Sequence, residues 1–443
     1  MAGTVTVDQA KLVLNSFAAI FQNNLTSAEL VSWRKFDNEM NDRNALTVVE
    51  QVVPRYVVTH TTSGVQDLTS IGTQDTVFGS EQYKVQDVFG ASMGWQDFVK
   101  IRDIGAARES EALKSAALNL AEQIDAYILG FAVNASNNWL GTAGNSVSVY
   151  DDVASGYTRL KEEGVTDSDI RAVLTYGDKQ ALGSEVINQN ANLASGNASL
   201  DSIGAGIYRN GWEGSIAGIS TLFTQQLPTL VTGTHGTSEV NGSTQNVNYA
   251  DVAISSAPGN WLTQLINVDV GTGTETVKDG EVFTIAGRYA YDNRLQAPLD
   301  HLQEFRVIGN YTASSGNIPA MRIFPAIIVP VASPSNNTDR VNTAHATVST
   351  APVDEDVITW ISPASSSVKP RALLNKDAIV VNTADLIMPA TGIGSRKSLT
   401  KVPLSVRMWQ NSVFNTGEHQ VRFDVALSAN VVDRRRIVRI NGS

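Results

Sequence analysis

Three observations predict an α+β fold with an inserted all-β domain in this 443-residue chain. Apolar residues recur at helical spacing near the N-terminus. They do so again, over a longer run, at residues 103–134. In residues 45–100 and 230–352 the period shortens to that of strands set apart by turn residues.

Residues 8–33 read as helix. With Asp8 as N-cap, Ala10, Val13, Leu14, Phe17, Ala18, Phe21 and Leu25 fall on one face. Thr26, with Glu29 three residues on, predicts a capping box opening a second short helix that reaches Trp33. Such a helix either docks on the body of its own protein or acts as an arm packed on a neighbouring subunit.

From 45 to 100, Val48-Val49, Val52-Val53, Tyr56-Val57-Val58 and Tyr83-Lys84-Val85 are strand-like runs. They flank Thr59–Ser80, which is too rich in Thr, Ser, Gly and Gln to build a core. A long β excursion of this kind folds over something else, in its own domain or on a neighbour.

Asp103–Asn134 is the strongest element. Leu113, Ala117, Leu120, Ile124, Tyr127 and Phe131 step along one stripe, with Glu111, Lys114, Glu122 and Asp125 off it. Thirty-two helical residues would run about 48 Å, a spine for sheets to lie across. A coiled coil is the competing reading, limited by a run of about three heptads.

Residues 150–227 alternate. A helix from Asp151 has Val153, Tyr157 and Leu160 on one face and Gly164 as its C-cap. A strand at Ile170–Tyr176 and a helix from Asp178 follow, and Asn188–Ser202 reads as loop. The β-domain at 230–352 opens on a Gly/Ser/Thr-rich stretch and contains runs at Leu265–Val270, Val282–Ala286, Phe305–Ile308 and Met321–Val329. It ends in the linker Pro334–Thr338, with another at Ser362–Ser367. Strands at Val402–Trp409 and Val421–Val432 lead to Arg434-Arg435-Arg436.

Composition narrows the function. Asp and Glu number 44 against 33 Lys and Arg, giving a net charge of −11, which opposes tight binding to nucleic acid through phosphate neutralisation. With no Cys, disulfides, thiolate metal sites and Cys nucleophiles are excluded. The first residues lack the charge and apolar run of a signal peptide, and no apolar run is long enough for a transmembrane helix. Charged residues are only 17% of the chain, while Asn, at 33, equals Lys and Arg together. The surface is therefore largely neutral and polar, rich in Asn, Ser, Thr and Gly.

No catalytic, cofactor-binding or metal site can be assembled. The histidines at 60, 235, 301, 345 and 419 lack metal-ligand spacing and read as ordinary loop or edge residues. Asp151-Asp152, Glu162-Glu163 and Asp354-Glu355-Asp356 read as solvated charges. Gly204-Ala-Gly206 and Gly271-Thr-Gly273 lack the third glycine of a dinucleotide fingerprint. The Arg434–Arg436 run reads as outward charges on a terminal strand or a salt-bridge donor to a neighbour, with a phosphate patch as the sharper alternative.

Several segments carry a family signature. Gly280-Glu-Val-Phe-Thr-Ile-Ala-Gly287, Leu302-Gln-Glu-Phe-Arg-Val307 and Met321-Arg-Ile-Phe-Pro-Ala-Ile-Ile328 resemble the inserted β-domain of podovirus-type coat proteins. Leu374-Asn-Lys-Asp-Ala378, Leu386-Ile-Met-Pro389, Leu404-Ser-Val-Arg-Met-Trp409 and Arg422-Phe-Asp-Val425 are similar to that family's closing segment. Upstream, Tyr208-Arg-Asn-Gly211 and Ala217-Gly218-Ile219 also fit. The resemblance, which covers essentially the whole chain, implies a tailed-bacteriophage major capsid protein with the Johnson (Hong Kong phage capsid) fold.

That resemblance implies an N-terminal arm at 1–44 and an extended loop at 45–100. It implies a peripheral domain with the spine helix at 101–149 and 401–443, and an axial domain at 150–229 and 353–400. The inserted β-domain is 230–352. The implied function is self-assembly into the icosahedral head shell enclosing double-stranded DNA, without catalysis, cofactor or metal. Implied partners are the chain itself in pentameric and hexameric capsomers, scaffolding protein and portal, and decoration proteins. DNA is enclosed without sequence-specific binding, and no membrane is involved. The implied location is the virion, with the host cytoplasm before assembly. A cross-link of the kind known in one branch of the fold would need a loop lysine, and Lys84 is the only Lys between 45 and 99. A secreted or surface-displayed β-rich binding protein of adhesin type is the main alternative, and a hydrolase with a β-sandwich accessory domain the enzymatic one.

Overall fold

The computed structural model describes residues 7–40, 46–58, 74–95, 111–165, 169–193, 215–254, 260–332, 334, 336–388, 393–412 and 419–443. The expected loop core Thr59–Thr73, the first part of the expected spine helix, the Gly204-Ala-Gly206 pair and Tyr208–Gly211 lie outside the described residues. The chain divides into two compact units. One comprises residues 1–48, 83–131 and 376–432, the other 49–82, 132–375 and 433–443.

The first unit is built on the 13-residue strand His419–Val431. Along one edge it pairs with Ile379–Leu386 and Ser405–Ser412, and the strand Asp87–Trp95 also runs antiparallel to it. Ser32–Met40 and Ile393–Ser398 complete six strands. Residues Phe423–Ala429 are all buried, so both faces of this strand are covered. The N-terminal helix Val7–Asn24 supplies part of that core. Leu14, Phe17, Ala18 and Phe21 are buried, and the Phe17 ring stacks on Phe423 with centroids 3.9 Å apart. Burying each phenylalanine contributes about 2–3 kcal/mol. The helix therefore docks on its own unit, the first of the two readings of its apolar face.

The second short helix is Ser27–Leu30 and stops before Trp33, which lies in a strand. No Thr26 side-chain cap forms. The backbone N–H groups of Thr26 and Ser27 instead donate to the Asp125 carboxylate, at 2.8 and 2.9 Å. Asp125, placed by periodicity off the stripe, is buried, and burial pushes its carboxyl upward against those two bonds. Its helix, Glu111–Ala135, has 25 described residues and runs about 37 Å. Leu113, Ala117, Leu120 and Ile124 are buried as expected. Phe131 is exposed and rests edge-on against Tyr127. Tyr127 also meets Phe89 edge-on and donates to Asp87.

The second unit contains a six-stranded sheet in the order Asn138–Leu140, Ile437–Ile440, Arg371–Asn375, Ile170–Leu174, Ile219–Phe223, Ser215–Ile216. The helix Tyr150–Glu162 packs Val153 and Leu160 into the core with Ile170, Ala172, Leu373 and Val438. It ends as the sequence predicts. Gly164 has φ +91°, its N–H donates to Lys161 O and that of Val165 to Leu160 O, both at 3.1 Å. This pair of bonds satisfies the last carbonyls and needs a left-handed residue at Gly164. The following helix, Tyr176–Leu193, runs through the first six residues of the expected loop Asn188–Ser202. Once nucleated, a helix gains one bond per added residue, and the Ala and Asn of this stretch do not stop it.

Ser238–Val240, Gln264–Asp269, Asn317–Phe324, Ala297–Val307, Val282–Asp292 and Val357–Trp360 close into a barrel. Its interior is filled by Val240, Ile266, Val268, Phe283, Ile285, Phe305, Val307, Met321, Ile323 and Ile358. The first strand lies inside the Gly/Ser/Thr-rich opening, and the closing strand lies beyond the expected end at 352. Both pair through backbone groups, which hydropathy does not report. The expected linker Pro334–Thr338 runs into the helix Asn337–Ala344, capped by Asn336 accepting from Asp339 N at 2.8 Å. The domain segments also exchange strands relative to expectation. Ile379–Leu386 and Ile393–Ser398 join the sheet of His419–Val431, whereas Ile437–Ile440 joins Arg371–Asn375. The chain passes between the two units near 375 and 432.

Candidate assembly surface and the buried charges beside it

Strands Leu46–Val52 and Gly79–Val85 pair as a two-stranded sheet. Residues 53–58, including the expected run Tyr56–Val58, are irregular. Val49, Val53, Tyr56, Val58 and Phe78 turn large apolar surface to solvent, Val53 and Val58 each 81% exposed. Burying such side chains is worth about 1.5–3 kcal/mol each.

The charges that might have made a reactive site are used inside the second unit. The Arg434–Arg436 run is a short 3₁₀ turn and not an outward strand. Asp433 opens that turn, accepting from the Arg435 N–H at 3.1 Å and from its guanidinium at 3.0 and 3.1 Å. Burial would raise the Asp433 carboxyl, but Arg435 and Arg436 hold it low. Arg434 lies over the Phe324 ring, Arg435 over Trp261 and Arg439 over Trp139, with centroid distances of 4.9, 5.5 and 5.1 Å. Arg439 donates to Gly280 O, Asn134 O and Ser136 O at 2.6, 3.0 and 2.6 Å. Burial and then Arg306 bring its guanidinium down to about 9. An alternating-strand reading could not show that these cations face rings.

The other polar candidates are also structural. His235 is buried, 3.2 Å from Glu281, and stacks on Trp360. His301 lies 3.8 Å from Glu162, and burial followed by Arg159 lowers it to about 4. His60 and the His419 side chain lie outside the described residues. Asp152 is buried and accepts from Ser148 N and Val149 N at 3.0 and 3.2 Å. Asp356 pairs with Arg288 and accepts from Val353 N, and Asp354 accepts from Gly242 N at 2.5 Å. Asp152 and Asp356 thus close turns, whereas Asp151, Glu162, Asp354 and Glu355 are exposed, as the solvated-charge reading expects. Gly271, at φ +148°, belongs to a turn in which Glu275 accepts from Thr272 N and Gly273 N. Among the described residues no group of three His, Asp or Glu could hold a metal ion, and no helix is long and apolar enough to cross a membrane.

Among the buried carboxylates, Glu304 has a measurable consequence. Buried on strand Ala297–Val307, it accepts from Trp139 N at 2.7 Å and lies 3.4 Å from Arg159 Nη2. Glu163 and Arg439 also face it. Burial outweighs Arg159 and raises its carboxyl to about 7. A carboxyl raised on folding stabilises at low pH and loses that contribution as pH climbs through its folded value. Measured by urea unfolding against Glu304→Gln, the wild-type chain should lose roughly 3 kcal/mol between pH 4.5 and pH 8. Parallel stability curves for the two proteins would contradict this.

The second unit thus keeps these buried charges partnered, and residues 49–58 leave large apolar side chains exposed. A family model described as P22 coat protein, gene protein 5, matches residues 3–437. The chain belongs to the P22 coat protein family. It is a structural major capsid protein of bacteriophage, a virion component with the α+β Johnson capsid fold. Among solved structures it is similar to one from Mycobacterium phage Che8, with TM-score 0.40 and 10% identity over 91% of this chain and 87% of that one. The mature capsid of bacteriophage PhiM1 gives TM-score 0.43 and 10% identity over 95% and 87%. The CUS-3 coat protein I-domain is 22% identical, with TM-score 0.20, over 28% of this chain and 94% of its own. No curated protein matches the sequence. The adhesin alternative finds no support.

Proposed function

We propose that copies of this chain form pentameric and hexameric capsomers in which residues 45–100 lie over a neighbouring copy. The observation that supports this reading is the apolar row Val49, Val53, Tyr56, Val58 and Phe78, left exposed on an extended segment. Heterologous contacts of this kind close into rings, and each can be weak because a closed shell multiplies it. In this reading the peripheral part carries the spine helix, the axial part lines the capsomer centre, and the barrel stands on the outer surface. Scaffolding protein and portal act during assembly in the host cytoplasm, and decoration proteins can bind the finished shell. The net charge of −11 keeps the wall from adhering to the enclosed DNA, and the chain performs no catalysis.

Negative-stain microscopy of the purified protein, alone and with its phage's scaffolding protein, tests the reading. Shells, tubes or capsomers are expected. Discrete monomers under both conditions would overturn it.

A further inference from the structure

Most of the extended segment's described residues, 49–58 and 74–82, belong to the same compact unit as the β-barrel. Its root is packed and stitched there. Val52 and Val77 rest on the cluster of Tyr249, Trp261, Leu262, Phe324, Ile328 and Val341. Ser80 N donates to Ala253 O at 2.8 Å, and the buried Glu81 accepts from Trp261 N at 3.0 Å. Asp75 N donates to Asn337 Oδ1 at 2.6 Å. Arg55 N donates to Nε2 of His345 at 3.3 Å, and that ring stacks on Tyr249 with centroids 3.6 Å apart. The two legs of the segment are tied to each other as well. Gln74 donates to Arg55 O at 2.9 Å and accepts from Val57 N at 3.0 Å.

Gly79 shows how closely the root is seated. A Cβ there would stand 2.6 Å from Trp261 Nε1, 3.0 Å from the Tyr249 hydroxyl and 3.1 Å from Val52 Cβ. Between and beyond these contacts Val53, Tyr56, Val58 and Phe78 stay exposed.

We propose that the flank of the β-barrel module is a cis anchor that aims the extended segment. It fixes the root within the subunit so that the apolar row is already ordered when a neighbouring copy arrives. The module then governs assembly through the geometry of the segment. Ordering a segment before association removes an entropic cost that binding would otherwise bear. His345 serves as an acceptor in this anchor because burial, then Arg55 and Arg435, keep it neutral down to about pH 3. The proposal rests on the assembly reading only for its consequence; the anchor itself is a property of one chain.

Hydrogen exchange on the unassembled full chain, followed by assembly with scaffolding protein, separates the two parts. Gly79→Val and the double variant Asp75→Ala with Asn337→Ala should raise exchange of residues 53–58 and 74–82 at least tenfold. Barrel strands Gln264–Asp269 and Asn317–Phe324 should stay protected, and the assembly rate should fall by at least tenfold. If Gly79→Val disturbs the barrel, the double variant decides, since it deletes only side-chain contacts at the root. Unchanged exchange in the segment would overturn the anchor. Raised exchange with a normal assembly rate would overturn its role in assembly. A wild-type chain that never assembles would instead defeat the assembly reading, and the exchange comparison would still decide the anchor.

Discussion

Replacing Val53 and Val58 together by aspartate is expected to abolish shell formation while leaving the subunit folded. Each valine is 81% exposed, so its folded surroundings lose almost no contact on substitution. The stability change should stay within about 0.5 kcal/mol per site. Beneath a neighbour the result differs: an unpaired carboxylate buried there costs several kcal/mol, and the same penalty recurs at every copy of the contact. Circular dichroism and thermal unfolding should be unchanged, while sedimentation shows no shells. Serine at the same positions should raise the protein concentration needed for assembly and leave shells possible. Shells at normal yield from the aspartate variant would place this row outside the interface.

The largest expected effect on folding belongs to Asp178. Its carboxylate, fully buried, receives Arg371 Nε and Nη2 at 2.8 and 2.7 Å. It also accepts from Val147 N at 3.0 Å, Thr175 N at 2.8 Å and the Thr175 hydroxyl at 2.7 Å. In return Asp178 N donates to that hydroxyl, so residues 175 and 178 form a reciprocal cap on the helix Tyr176–Leu193. Asp178→Ala strands a buried guanidinium and three donors at once. Breaking such a pair costs about 3–5 kcal/mol, against less than 1 kcal/mol for an exposed one. The control is Asp169→Ala, since Asp169 is half-exposed and 3.3 Å from Arg171. Urea unfolding monitored by exchange in Ile170–Leu174 and Arg371–Asn375 should show the difference. Equal midpoints for the two variants would contradict the account.

What could be read before the structure was what is written locally. The apolar face of the N-terminal helix, the stripe Leu113–Ile124 and Gly164 at a helix end depend on spacing and on one residue's backbone freedom. The barrel runs at 265, 282, 305 and 321 were visible as short β-type runs spaced by turn residues. Hidden were the features that need two distant parts of the chain. Asp125 lies about a hundred residues from the N–H groups it caps. Arg434, Arg435 and Arg439 find ring faces at Phe324, Trp261 and Trp139. The barrel's first strand, Ser238–Val240, carries too few apolar residues to announce itself, and the last, Val357–Trp360, is only four residues long; both are fixed by the strands they pair with. The exchange of strands between units at 375 and 432 is likewise a matter of pairing. As for the assembly surface, the valines and Tyr56 were legible as a β run without a core. That they stay outside while Val52 and Val77 turn inward was not.

A cryo-electron microscopy map of the assembled particle tests the central claim most directly. The account predicts a closed shell in which Val49, Val53, Tyr56, Val58 and Phe78 of each copy are covered by an adjacent copy. A shell in which these side chains face solvent, with subunits joined elsewhere, would contradict it.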